Sequence, residues 1–423
     1  MTAADTHRTI NAVWRIESPR LIASLTRMVR DVGLAEELAQ DALVTALEVW
    51  PTSGVPDNPG AWLMTTAKNR AIDRIRRNQR LDVKREQIAR ELEPPAAPDL
   101  AAKLDDDVGD DLLRLIFTAC HPALSTEARV ALTLRLLGGL TTGEIARAFL
   151  VPEPTIAQRI VRAKRTLSEA RVPFEVPSSA EFGVRLSSVL EVIYLIFNEG
   201  YSATAGETWM RLELCEEALR LGRILAELVP KEPEVHGLVA LMEIQASRAR
   251  ARIGPSGEIV PLFEQNRARW DRLLISRGLR ALERAEAFGG ALGPYALQAA
   301  ITACHARARA PEETNWERIV ALYDALAQLT QSPVVELNRA VAVGMAFGPE
   351  AGLELLDELT SEPSLKSYHL FPAVRGDLLA KLGRNDEACS EFERAAALTR
   401  NDRERELLLK RAANCARESG APQ

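Results

Sequence analysis

Apolar residues recur three and four positions apart along most of the chain, as at Leu34, Leu38 and Ala42 and again at Leu43, Ala46, Leu47 and Trp50. That spacing gathers them on one face of an α-helix. The segment from Pro51 to Pro59 holds three prolines, a glycine and Asp57-Asn58, so a loop is expected there. A second stripe of Trp62, Leu63, Ala67, Ala71, Ile72 and Ile75 predicts a helix from about Gly60 to beyond Arg77. Pro94, Pro95, Pro98 and the aspartates after them break the pattern over 93–109, which reads as an interdomain linker. A helical unit follows over 110–172, closed by Pro173 and Pro177, and from Ala180 onward helical periods recur between short Gly/Pro punctuation. No run reads as a strand, and the fold class expected is all-α.

Length and composition refine this picture. The 423 residues suit three or four compact units, and 47% hydrophobic with only 5% aromatic residues favours helix. The net charge of -6 argues against a simple nucleic-acid coat, but the charge is uneven. Lys68 to Arg90 and Arg147 to Arg165 are basic, and Asp105, Asp106, Asp107, Asp110 and Asp111 form an acidic run between them. Two basic modules are therefore hidden in a balanced total. The five cysteines are scattered and never spaced CxxC, which implies a reducing compartment and neither a disulfide framework nor a zinc knuckle. The most apolar run, Val189 to Phe197, is short and contains Glu191, and no signal-peptide layout opens the chain. A soluble, cytoplasmic protein without a membrane partner is expected.

The tail carries weak internal repetition. Gly383, Ala388, Phe392 and Ala395 match the second helix of a tetratricopeptide unit, Ala351 and Leu355 precede them by about one repeat length, and Ala218, Gly222 and Leu225 keep a similar spacing. A generic alanine-rich bundle is the alternative for the middle of the tail.

The most specific local pattern is Leu140, Thr141, Thr142, Gly143, Glu144, Ile145, Ala146 followed by Thr155 to Ile160. A threonine caps a first short helix, Leu150-Val151-Pro152 turns the chain, and Pro154 is tolerated in the first turn of a second helix. On that second helix Ile156, Ile160, Ala163 and Leu167 point inward and leave Thr155, Gln158, Arg159 and Arg162 on one exposed face. Arg donates two bonds to guanine and Gln pairs with adenine, each contact giving about 1–3 kcal/mol of discrimination in a major groove. Lys164 and Arg165 are expected at phosphates. A helical hairpin with a solvated basic face is the bland alternative.

Taken together, residues 8 to 171 resemble the two conserved modules of an extracytoplasmic-function (ECF) RNA polymerase sigma factor. The stretch Ala35 to Asp41, leading to Ala46 and Trp50, is similar to the part of region 2 that docks on the clamp helices of the largest polymerase subunit. The resemblance implies that Glu37, Gln40 and Asp41 anchor core RNA polymerase, whose β and β′ subunits are the expected partners along with promoter DNA. Pro59, Trp62, Leu63 and Ala67 to Arg77 resemble the helix that holds the -10 element, implying Asn58, Asn69, Arg70, Arg74, Arg76 and Arg77 as contacts to a melted strand. Asp73 is read as an internal partner for a neighbouring Arg, and Trp62 as core rather than a stacking platform. Leu124 through the helix-turn-helix resembles region 4, which implies reading of the -35 element by Thr155, Gln158, Arg159, Arg162, Lys164 and Arg165. Leu150 stands where many members place Gly. The acidic linker implies either a path near the RNA channel or a solvated tether.

Phe117 to Pro122, Leu195 to Tyr201, Leu212 to Cys215 and Ser332 to Ala340 look like the subgroup whose sigma modules are fused to a tetratricopeptide-like domain. The organisation expected is region 2 over 1–92, the linker over 93–109, region 4 over 110–172 and a helical extension over 173–423 that takes a regulatory protein or assembles complexes. Asn198, Glu199 and Tyr201 belong either to an interface with the sigma modules or to caps and core. No nucleophile-base pair, phosphate loop or metal cluster appears, so neither an enzyme nor a cofactor is expected; Cys120-His121 alone makes a poor metal site. The competing class is a helix-turn-helix activator with a repeat-type sensor domain. Such a protein has no need of the strip at Glu37 to Asp41 followed by a basic strand-holding helix.

Overall fold

A computed structural model describes residues 3–87 and 108–419. Among these residues the regular elements are helices, with strand-type pairing confined to two isolated bridges, Gly206 with Asn401 and Ile253 with Ile259. The all-α expectation holds. The linker expected over 93–109 lies, except for its last two residues, outside the described residues. The chain forms two compact units, Met1–Ile193 and Tyr194–Gln423.

Unit 1 begins with a bundle of α1 (Ala3–Val29), α2 (Val32–Ser53) and α3 (Pro59–Gln87). The predicted stripes are its core: Leu38, Ala42, Ala46 and Trp50 of α2 are buried against Leu63, Ala67 and Ala71 of α3 and Leu21 and Leu25 of α1. Alanines on α2 let the helices approach closely, and Trp62 meets Trp50 edge-on with ring centroids 5.3 Å apart. Trp62 is thus a packing residue. The loop expected from Pro51 is shorter than the prolines suggested. Helix α2 continues through Pro51 to Ser53, since loss of one amide near a helix end is tolerable and the hydroxyls of Thr52 and Ser53 bond the Val49 carbonyl at 2.9 and 3.0 Å. Gly54, at φ 86°, ends the helix by donating its N–H to the Trp50 carbonyl at 3.0 Å.

The second half of unit 1 contains α4 (Val108–Ala119), α5 (Thr126–Leu136), α6 (Thr142–Phe149), α7 (Glu153–Glu169) and the start of α8 (Ser179–Tyr201). Helix α4 packs on α1, and α5 and α6 pack on α7. Asp111, 1% exposed, forms an ion pair with Arg27 of α1 at 3.1 Å and accepts from Arg114 at 2.8 Å, so the acidic start of α4 is fastened by buried charge. The Phe117 to Pro122 motif is explained by α8: Arg185 donates to the Phe117 carbonyl at 2.9 Å and Ser188 to the Cys120 carbonyl at 2.8 Å. These side chains satisfy carbonyls that the end of α4 leaves without helical partners. Burial pushes the Cys120 thiol up to about 11, and its sulfur lies 3.4 Å from the Thr133 hydroxyl.

Unit 2 continues with α9 (Leu212–Leu228), α10 (Pro233–Ala246), α11 (Arg272–Ala287), α12 (Pro294–Arg307), α13 (Trp316–Thr330), α14 (Pro333–Phe347), α15 (Pro349–Glu358), α16 (Leu370–Lys381), α17 (Asn385–Leu398) and α18 (Asp402–Ser419). From α10 onward each helix packs on the one before it, and α12 also packs on α10. Close approach there depends on Gly237, where a Cβ would stand 2.6 Å from the Ala296 amide nitrogen. Ala388, Phe392 and Ala395 are buried in α17, as the repeat pattern required. The stack returns to its own start: Asn401, fully buried, donates to the carbonyls of Ala203 at 3.1 Å and Thr208 at 3.2 Å. Glu199 pairs with Arg211 and accepts from the Thr204 hydroxyl at 2.9 Å. Tyr201 and Trp209 lie 3.5 and 4.0 Å from the Arg252 guanidinium, which burial pushes down to about 10. Glu199 and Tyr201 therefore act as cap and core inside unit 2.

Candidate polymerase and promoter interface

The geometry of α6 and α7 is set by local chemistry. The Thr141 hydroxyl accepts from the Glu144 amide at 3.2 Å while the Glu144 carboxylate accepts from the Thr141 amide at 2.8 Å, a reciprocal cap. Burial raises the Glu144 carboxyl, but its bonds from Thr141 and the Arg15 guanidinium at 2.8 Å outweigh that and hold it below the usual carboxylate range. Leu150 ends α6 in the left-handed conformation, at φ 51° and ψ 42°, a conformation that favours Gly. A leucine there costs about 1 kcal/mol or more. The strain is borne by a tight turn whose Val151 amide reaches the Ala146 carbonyl at 3.1 Å.

Pro152 then starts α7, and Ile156, Ile160, Ala163 and Leu167 are its buried stripe, as the spacing predicts. Thr155, Gln158 and Arg162 are exposed and Arg159 is half-buried; with Ser125 and Glu127 of the preceding segment they line a shallow cavity of about 400 Å³. This is a concave polar surface with paired cations along one helix. Arg165 points outward and pairs with Glu169 at 2.6 Å, an exposed i,i+4 pair that costs little to break. Lys164 differs. It turns inward and pairs with Glu36 of α2.

Glu36 was not singled out by the sequence, yet it joins three helices. It is 2% exposed, it accepts from Arg135 Nε at 2.6 Å and from Gln40, and Lys164 approaches its other oxygen. A signal was available: Glu36 sits in register with the buried Val32, Ala39 and Ala42. A charge in an apolar stripe needs a cation from elsewhere. Beside it Glu37 is exposed, Gln40 is half-buried against Glu36, and Asp41 pairs with Arg70 at 3.2 Å.

On α3 the predicted residues divide by role. Asn58 caps the helix, its side chain accepting from the Ala61 amide at 3.0 Å, with Pro59 in the first turn. Arg70 bonds the Thr45 hydroxyl at 2.7 Å as well as Asp41, and so ties α3 to α2. Asn69, Arg74, Arg76 and Arg77 are exposed. Asp73, expected to pair with a neighbouring Arg, is exposed and has no ion pair among the described residues. The cations that remain free to meet a nucleic acid thus cluster on the distal part of α3.

Comparison with known proteins joins these surfaces. Residues 14–81 match the model of sigma-70 region 2 and residues 114–167 that of sigma-70 region 4. The ECF RNA polymerase sigma factor SigK of Mycobacterium ulcerans (strain Agy99) is 32% identical over 155 residues, covering 35% of this chain and 78% of the relative. The chain belongs to the ECF RNA polymerase sigma factor family. SigK of Mycobacterium tuberculosis (strain ATCC 25618 / H37Rv) gives 33% identity over 152 residues, covering 35% of this chain and 78% of the relative. A longer match is with an uncharacterized protein of Rhizobium meliloti (strain 1021), 44% identical over 385 residues and 90% of both chains, so the sigma modules and the extension travel together in that relative. Residues 185–286 match a family of unknown function (DUF6596), and no solved structure matches the chain. As an ECF sigma factor the protein directs transcription initiation with core RNA polymerase at promoter DNA. The presence of region 2 decides against the activator reading, which required only the helix-turn-helix. Among the described residues no helix is long and apolar enough to cross a membrane.

Proposed function

We propose a division of labour in which α2 anchors the β′ side of core polymerase, the distal part of α3 holds the melted -10 strand, and α7 reads the -35 duplex. The observation that carries this is the face of α7, where Thr155, Gln158, Arg159 and Arg162 are presented by a helix whose opposite stripe is wholly buried. Glu37, Gln40 and Asp41 supply the polar strip of α2. Asn69, Arg74, Arg76 and Arg77 supply the strand contacts, while Asn58 and Arg70 position α3 rather than touch the strand themselves. Lys164 reaches a phosphate only after parting from Glu36, and Arg165 only after releasing Glu169.

Unit 2 is proposed as a tetratricopeptide-like protein-interaction domain without catalytic activity, supported by its successive packed helix pairs and the buried small-residue stripe of α17.

Arg159→Ala tests the assignment of α7. Base discrimination at one -35 position is expected to fall by about 1–3 kcal/mol, with affinity for core polymerase unchanged. A competition assay over single-base promoter variants reads the first quantity and gel filtration with core the second. Lost core binding, or selectivity equal to the parent at every -35 position, would contradict the role given to this face.

A further inference from the structure

Unit 2 contains a cavity of about 1220 Å³ whose walls come from the 258–264 loop and from α12, α13, α14, α16 and α18. Most of that wall is apolar, and its aromatic part is ordered. Phe263, 44% exposed, stacks on Trp316 with centroids 5.8 Å apart, and His305 lies edge-on to Trp316 at 5.2 Å. An exposed phenylalanine over a half-buried tryptophan is apolar surface left uncovered by the fold. The charged groups of the lining cancel: Asp377, Glu258 and Glu264 stand against Lys381, Lys410 and Arg411. Asp377 pairs with Lys381 at 3.1 Å and with Arg411, while Glu258, Glu264 and Lys410 are exposed to water. The uncharged polar groups are the ones left over. The Trp316 indole N–H, the Tyr323 hydroxyl, the His305 imidazole and the side-chain amides of Asn338 and Asn414 hydrogen-bond to no other described residue. Burial pushes the Tyr323 hydroxyl up to about 12, so it stays a donor. Burial, with Arg248 and Arg267 nearby, pushes His305 down to about 4, so it stays neutral.

We propose that this cavity binds an uncharged aromatic small molecule bearing carbonyl or hydroxyl oxygens. The ring covers Phe263 and the apolar wall of Val341, Met345 and Val374, and the oxygens accept from Tyr323 and Trp316. The same groups disfavour other occupants. A plain hydrocarbon would displace water from the Tyr323 and Trp316 donors and leave them unpaired, which costs more than the contact returns. An ion would shed its own water into a cavity whose inner charges already pair with each other, with no net counter-charge to receive it. The volume exceeds the roughly 300–1,000 Å³ typical of small-molecule sites, so a ligand of about two or three fused rings enters without repacking of the walls. The proposal goes beyond the protein-interaction role of the extension and does not depend on it.

The test uses the full chain and the uncharged naphthyl ketone 6-propionyl-2-dimethylaminonaphthalene, whose emission shifts to the blue in apolar surroundings. Three naphthalenes of similar size then compete with it: uncharged 2-acetylnaphthalene, the anion 2-naphthoate and the cation 2-naphthylmethylammonium. Saturable binding is expected, with 2-acetylnaphthalene at least about tenfold the better competitor over either ion. Phe263→Ala changes an exposed position and Val374→Phe narrows the cavity; each is expected to weaken the ketone at least about fivefold. Tyr323→Phe is expected to weaken it about threefold or more by removing one donor. Thermal melting of Phe263→Ala is expected to match that of the parent. Equal or better competition by either ion overturns the inference. Ketone binding that survives Phe263→Ala and Tyr323→Phe unchanged also overturns it, since the probe then sits elsewhere. Absence of saturable binding overturns it outright. The interaction role of the extension stands in all three cases.

Discussion

Changing Arg74, Arg76 and Arg77 together to alanine is expected to reduce open-complex formation by roughly a hundredfold or more at physiological salt, with core binding retained. The three side chains are exposed on α3. Each charge-assisted bond to a phosphate contributes about 1.5–3 kcal/mol, so three losses reach this size even after partial compensation. The variant keeps its fold because alanine is the strongest helix former and none of the three is buried. A salt titration adds a second readout. Holding a single strand through three fewer phosphates lowers the slope of log affinity against log salt by about 2. Permanganate footprinting of melted thymines, run beside gel filtration with core polymerase, measures both parts. Undiminished melting would remove the distal part of α3 from the strand-binding role.

The second large effect concerns stability. Glu36→Ala removes the carboxylate that faces both Arg135 and Lys164, whose side chains are 21% and 22% exposed. Breaking a buried ion pair by deleting one partner costs about 3–5 kcal/mol; relaxation of two part-exposed cations toward water places this site at the lower end of that range. Glu36→Gln keeps one acceptor oxygen for Arg135 and Gln40, but its amide nitrogen cannot accept from Lys164, so it recovers only part of the loss. Chemical denaturation of the full chain, followed by tryptophan fluorescence to which Trp14, Trp50 and Trp62 of unit 1 contribute, reports the difference. A second consequence follows for DNA. With Glu36 absent, Lys164 is available to a phosphate, and the surviving folded protein binds non-specific duplex with a salt slope steeper by about 0.9. Unfolding midpoints that coincide with the parent would show that the Glu36 pairings contribute nothing to holding α2, α5 and α7 together.

Much of this arrangement was legible in the sequence where the physics is local. The capped start of α6 at Thr141 and the 3.6-residue stripe of α7 depend on neighbours within four positions, and both are present as the spacing predicts. The small-residue pattern of α17 likewise required only its own period. Pro51 misled because a proline near a helix C-terminus removes one bond without stopping the helix. Asn58 is readable as a cap from the Asn-Pro-Gly order, and its side chain does accept from the Ala61 amide. Glu36 lay beyond local reading. Its partners Arg135 and Lys164 are far along the chain, and only packing of α7 against α2, with α5 packed on α7, brings them together. The same holds for Ser188 and Arg185, which complete the Phe117 to Pro122 motif from a later helix. The cavity of unit 2 gathers residues from five helices and a loop, so no single motif announced it.

The most direct measurement adds the purified full chain to sigma-free core RNA polymerase on promoter DNA and follows run-off transcripts. Transcripts of defined length are expected, dependent on the chain, on both promoter elements, and on Arg159 together with Arg74, Arg76 and Arg77. Failure of the chain to form open complexes on any promoter, with the extension present or removed, would contradict it.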